Sequence, residues 1–194
     1  HGIGIDLGGG VGCISSTLAK RKNVKKIYCI ELVEEAVKLC QPIVKHEILK
    51  ENENKVISVV GDFDNLDLEN NSIDFAVSWD SMHHSMNLIK TLKECKRVLK
   101  KNGVFIIVDR AHNNSTPDSE IERMLNIVYG EEFLTKFYRP KDMILTRREN
   151  GEHEHRFFEW DKFFEASGFK LIDSVVIKTE SDENRKLKND NNVR

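Results

Sequence analysis

Histidine carries a proton-accepting nitrogen whose ordinary pKa sits near neutrality. Five of the chain's seven histidines, His83, His84, His112, His153 and His155, fall in three short segments. The first is Trp79-Asp80-Ser81-Met82-His83-His84, and the second is Asp109-Arg110-Ala111-His112. Such a group suits removal of a proton from a hydroxyl or a carbon acid. His84 is the first candidate base, with Asp80 or Asp109 placed to orient an imidazole; the plainer reading is a histidine that packs on or caps the following helix. His112 is kept as a catalytic candidate, and with Arg110 it could instead hold an acidic group of a substrate. His153 and His155 would point to one side of an extended segment, and Glu152 and Glu154 flank them. No third ligand stands at a telling distance, so no metal is expected.

A second constellation precedes these in the chain. Ile3, Ile5 and Leu7 form a β-favouring run over 3–8, interrupted by Asp6 and followed by Gly8, Gly9, Gly10 and Gly12. Glycines there remove side chains where the backbone turns sharply and a ligand approaches the main chain. Val11, Ile14 and Leu18 then space out one apolar helical stripe over 12–22. Strand, glycine turn and helix make the first unit of a nucleotide-binding α/β sheet. Ile27 to Ile30 gives a second strand ending at Glu31, nineteen residues beyond Gly12. An acid at that tip can accept hydrogen bonds from both hydroxyls of a ribose, and Leu32 would lie along the adenine face. A dinucleotide fingerprint would want a third glycine where Cys13 or Ser15 stands, and no loop ends in Gly-Lys-Ser/Thr.

The pattern Asp6-x-Gly8-x-Gly10-x-Gly12 resembles motif I of the class I S-adenosylmethionine-dependent methyltransferases. The resemblance runs from Ile3 to about Ile177 and implies S-adenosylmethionine as cofactor. It implies cofactor contacts at Asp6, Gly8, Gly10, Gly12 and Glu31. After the third strand, over 56–60, it implies that Asp62 accepts from the adenine amino group while Phe63 shields the ring. Trp79, opening the loop after the fourth strand, is counted with the cofactor-binding residues. The block running through the fourth helix to the glycine and fifth strand matches the family as well. The implied fold class is α/β: a doubly wound, Rossmann-like, mostly parallel sheet in order 3-2-1-4-5 plus a sixth strand, with helices on both faces.

These residues need particular elements to carry them. Val33, Ala36, Val37 and Cys40 give a short helical stripe, and 41–55 reads as a polar end to that unit. A fourth strand at 73–78 delivers the Trp79-to-His84 loop to the switch point where doubly wound sheets bind ligands. Leu88, Ile89, Leu92, Cys95, Val98 and Leu99 mark an amphipathic helix before Gly103, and 104–108 is a fifth strand. Residues 113–159 leave the alternation: a helix from Pro117 towards Gly130, a shorter one around 133–138, and a hairpin of 143–148 with 152–158 about Asn150-Gly151. This insertion is expected to cap the acceptor. A last helix over 160–168, a sixth strand over 169–177 and a polar, disordered tail over 179–194 complete a single domain over 1–178, expected to be truncated at both ends.

Composition bounds the partners. A net charge of −2 across 194 residues gives no global attraction to nucleic acid or to an anionic membrane. Cys13, Cys29, Cys40 and Cys95 lack a Cys-x-x-Cys spacing and read as reduced core thiols of a cytoplasmic protein. There is no Asn/Asp-Pro-Pro-Tyr/Phe motif and no Pro-Cys pair. A small-molecule methyl acceptor is therefore expected, by default, for transfer to O, N or C, with no nucleic acid or membrane partner and the oligomeric state open. Two alternatives stand beside this one: a degenerate scaffold domain that binds cofactor or nothing, and a nicotinamide-dependent oxidoreductase.

Overall fold

The computed structural model describes residues 2–137 and 139–177. Five strands, β1 (Gly2–Leu7), β2 (Val24–Glu31), β3 (Val56–Val60), β4 (Ile73–Trp79) and β5 (Leu99–Val108), form one parallel sheet in the order β3-β2-β1-β4-β5. The order reverses between β1 and β4, so the loops leaving their carboxyl ends diverge and open a crevice. β1 is central, and Ile5 and Leu7 are fully buried. Strands covered on both faces read as continuous apolar runs, which is why β1 and β2 stand out in the sequence.

Each face has its own helical layer. Helices α1 (Cys13–Ala19) and α2 (Gln41–Leu49) enclose Ala19, Val24, Ile27, Cys29, Leu49 and Val56. On the other face α3 (Leu88–Val98) brings Leu88, Leu92, Cys95 and Val98 against Ile5, Leu7 and Ala76. Beyond β5 come α4 (Asp118–Leu125), α5 (Glu131–Lys136) and α6 (Phe157–Ala166), and Trp160 of α6 joins the α3 core.

Several expectations change. The polar stretch after Cys40 is helical: a π-helical turn at Ala36–Cys40 runs into α2, with Pro42 in its first turn. Only Gln41 and Leu49 of α2 are buried, so no stripe advertises it. The sixth strand over 169–177 is not formed. Leu171, Ile172, Val175, Val176 and Ile177 are all exposed, and β-propensity measures fit to a pleated, half-buried surface that is missing here. Asn150-Gly151 does make a tight turn, closed by the Glu152 amide on Arg147 O at 3.1 Å. Its flanks pair elsewhere, Thr146 with Val128 and Arg156 with His112, so no hairpin ladder forms. All four cysteines are free, but only Cys29 and Cys95 are core thiols; Cys13 and Cys40 are exposed. The tail expected over 179–194 lies outside the described residues.

Candidate active site

The glycine turn is shaped by three left-handed residues, Gly8 (φ +69°), Gly10 (φ +53°) and Gly12 (φ +88°). Each position has a different surrounding. A Cβ on Gly8 would meet Ser81 Cβ at 2.5 Å, and one on Gly9 would meet Cys29 Sγ at 2.4 Å. A Cβ on Gly10 would meet nothing within 4 Å, so the space above it is open to a ligand. Gln41 donates to Gly10 O at 2.8 Å and so ties α2 to the turn.

Glu31 leans over the same turn. Its Oε2 accepts the Gly10 amide and its Oε1 the Val33 amide, each at 2.9 Å. Each carboxylate oxygen keeps a further lone-pair direction for a ribose hydroxyl. Asp6 is buried beneath, where Ser15 Oγ donates to Oδ2 at 2.7 Å and Oδ1 has no partner among the described residues. Burial pushes its carboxyl up to about 6, against the pull of the Ser15 hydrogen bonds.

The residues expected on the adenine side lie along the carboxyl edge. Leu32 is 70% and Trp79 52% exposed, apolar surface of the kind a bound ring covers. Asp62 is exposed and its Oδ1 accepts the Asp64 amide at 2.8 Å, making the side-chain-to-backbone turn that an Asp-rich loop favours. Phe63 packs on the α3 core and reaches to 3.8 Å of the position a Gly8 Cβ would take. The open face at Gly10, the braced carboxylate at Glu31 and the bare apolar edge fit an adenosyl group.

The loop after β4 is locked to β1 by Ser81, whose Oγ donates to Leu7 O at 2.7 Å and lies 2.6 Å from Ser78 Oγ. Asp80 adopts φ +53°, uncommon for a residue with a side chain, and its amide donates to Val108 O at 2.7 Å. A 3-10 turn over Met82–His84 then sends the two histidines different ways. His83 is buried, with Nδ1 2.7 Å from Asp109 Oδ1 and no partner for Nε2 among the described residues. Burial would raise the Asp109 carboxyl, but the hydrogen bond and charge of His83 outweigh it and hold the group below its ordinary value. Asp109 thus orients His83, not the expected His84. His84 faces outward with Nδ1 3.3 Å from Gly151 O; burial, then the neighbouring His83, lower its pKa.

The segment 151–157 straps across both loops. His153 donates its amide to His83 O at 2.9 Å and its Nδ1 at 3.0 Å, while the His112 amide donates to His155 O at 2.9 Å. His112 Nε2 contacts Glu154 Oε2, so its acidic partner is internal. His155 meets Trp160 and Phe163 edge-on at 5.8 and 4.9 Å, a packing role. Its ring and that of His153 do share one side, nearly parallel at 6.3 Å. Arg110 joins Asp80 at 3.2 Å and Glu152 at 2.7 Å, and Arg147 pairs with both Glu152 and Glu154. Tyr129 donates to Glu152 as well. Tyr129 escaped the sequence reading because its contact is closed only by the tertiary fold, and Arg147 because it meets Glu152 only once the Asn150-Gly151 turn forms.

A family model described as a methyltransferase domain matches residues 5–107, more than half of the chain. This chain belongs to the class I S-adenosylmethionine-dependent methyltransferase superfamily. Among the relatives of this chain is a sarcosine/dimethylglycine N-methyltransferase of Aphanothece halophytica, 30% identical over 62% of this chain and 42% of the relative. A norajmaline N-methyltransferase of Rauvolfia serpentina is 31% identical over 60% of this chain and 38% of the relative. The chain spans about two fifths of the length of these curated relatives. In fold it is similar to an S-adenosylmethionine-dependent methyltransferase of Aquifex aeolicus, with TM-score 0.58 and 19% identity over 92% of this chain and 77% of the other. Membership makes S-adenosylmethionine the cofactor of this methyltransferase family member and favours that reading over the nicotinamide alternative.

Proposed function

We propose that the chain transfers a methyl group from S-adenosylmethionine to a small-molecule acceptor held between the loop 79–84, the loop 109–112 and the strap 151–157. The observation that carries this is the Gly10–Glu31 contact: an acid braced over an open glycine turn at a topological switch point. The relatives' small acceptors, an amino acid and an alkaloid by their names, support the acceptor size. In this reading the single domain expected over 1–178 has 113–159 as its acceptor cap, and the cytoplasm is its setting. Among the described residues no helix is long and apolar enough to cross a membrane.

The bound cofactor supplies an activated methyl on a sulfonium with a neutral leaving group. The protein's work is then alignment and exclusion of water. Gly10 admits the cofactor to the main chain, Gly8 and Gly12 hold the left-handed turn that presents it, Asp6 supports the turn through Ser15, and Glu31 takes the ribose. Leu32, Phe63 and Trp79 form the apolar walls, with Asp62 at the adenine edge. His84 Nδ1–H donates to Gly151 O, which leaves Nε2 as the proton-accepting nitrogen. Its lowered pKa keeps it neutral at pH 7, ready to deprotonate an acceptor. Asp80 and His112 hold Arg110 and Glu154, and so shape the acceptor's floor rather than touch a proton.

Calorimetric titration with S-adenosylmethionine, S-adenosylhomocysteine and NAD is the test. Binding of the first two alone is expected. Binding of NAD alone, or of none, overturns the assignment.

A further inference from the structure

Three side chains from the loops after β4 and β5 converge beside the proposed acceptor site. Asp80, His83 and Asp109 each offer one ligand atom, and these atoms lie within 4.8 Å of one another. His83 Nδ1 stands 2.7 Å from Asp109 Oδ1 and 3.8 Å from Asp80 Oδ1. Ligands at right angles on a cation with bonds of ~2.1 Å are about 3.0 Å apart. The observed spacings bracket that separation. Two of the groups are rigid, with the His83 and Asp109 side chains 1% and 2% exposed. The Asp109 carboxylate is further fixed by the amides of Arg110 (2.8 Å) and His83 (3.2 Å). Asp80, the exposed member, leaves a way in from solvent.

The charge around this triangle is a separate observation. Four carboxylates, Asp80, Asp109, Glu152 and Glu154, stand among two guanidiniums, Arg110 and Arg147. His83, His84, His112, His153 and His155 complete the titratable set around it. Carboxylates thus outnumber guanidiniums by two in this half-buried cluster, a difference that one divalent cation would offset. Arg110 does not exclude it, since a carboxylate offers about four lone-pair directions and Asp80 can serve both.

We propose that Asp80, His83 and Asp109 form a site for one divalent cation, Mg²⁺ or Mn²⁺, at the carboxyl ends of β4 and β5. Two carboxylate oxygens and one imidazole nitrogen are a hard donor set that suits these ions. Ligation through Nδ1 requires the imidazole proton on Nε2. Three protein ligands leave three octahedral positions, and these suit an acceptor that presents hydroxyl or carboxylate oxygens. That last role rests on the methyltransferase reading; cation binding itself does not. The site departs from the sequence expectation of no metal, and it is not the His153/His155 pair.

The chain, stripped of metal with a chelator, is titrated with Mn²⁺ and the free ion is followed by electron paramagnetic resonance. One bound equivalent, displaced by Mg²⁺, is expected. Asp80→Asn should weaken it at least about tenfold with the far-ultraviolet dichroism unchanged. Asp109→Asn should do the same, but it is buried, so the exposed Asp80 variant decides. No stoichiometric uptake, or uptake that Asp80→Asn leaves unchanged, overturns the proposal. The same samples are titrated with S-adenosylmethionine: loss of that binding alone condemns the methyltransferase reading and leaves the cation site standing.

Discussion

Gly10 and Glu31 meet across 21 residues of chain, the Gly10 amide donating to Glu31 Oε2 at 2.9 Å. The bond couples the shape of the glycine turn to the acid at the tip of β2, so one substitution disturbs both. Replacing Glu31 by Ala removes a charged acceptor from two amides and, in the proposed reading, from the cofactor's ribose. An interaction of that kind is worth ~1.5–3 kcal/mol, or about tenfold to a hundredfold in affinity. Titration calorimetry with S-adenosylmethionine should show a loss of that size; an unchanged dissociation constant removes Glu31 from the ribose.

Gly8 and Gly10 should separate folding from binding. Both have positive φ, which costs a residue with a Cβ ~1–2 kcal/mol. Gly8→Ala adds a clash with Ser81, the residue that ties the β4 loop to β1. It should lose about 3 kcal/mol or more in urea denaturation. Gly10→Ala meets no neighbour, so it should lose only ~1 kcal/mol yet bind S-adenosylmethionine far more weakly. If Gly10→Ala binds normally, the open space above it is not the ligand's.

The contrast between these glycines and the histidines shows what was legible beforehand. The β1 run, the glycine turn, Glu31 and the order of five strands follow from local spacing and from the family resemblance, and the structure has them in those places. The choice between His83 and His84 does not, because adjacent residues are sorted inward or outward by the 3-10 turn alone. The stretch 169–177 reads as a strand by propensity, but a strand needs a neighbour that no single segment specifies. Glu152 and Glu154 look like solvated charges until the fold brings Arg110 and Tyr129 to them and the Asn150-Gly151 turn brings Arg147.

His84 should leave a signature in a pH–rate profile. The fold lowers its pKa, chiefly by burial and then through His83, so the limb where the base becomes protonated should fall below the ordinary 6.5. The rate with an accepted substrate should be flat from there through neutrality. His84→Ala should lower turnover by about a hundredfold and abolish the limb, with cofactor affinity kept. A limb that survives the substitution belongs to another group, and His84 ceases to be the base.

Asp6 makes stability depend on pH in the opposite sense from a paired carboxylate. Its pKa rises from 3.8 to about 6 on folding because burial disfavours the charge, so the folded chain binds the proton more tightly than the unfolded one. The resulting stabilisation is complete below 3.8 and is lost as pH climbs through about 6. At pH 8 the ionised group then costs on the order of 3 kcal/mol. Asp6→Asn keeps an oxygen for Ser15 Oγ and discards the charge. The variant should therefore be more stable than the parent at pH 8, by about that amount, and the gap should close by pH 4. Urea denaturation at the two pH values reads this directly. An equal difference at both would mean that the unpartnered Oδ1, and not ionisation, sets the cost.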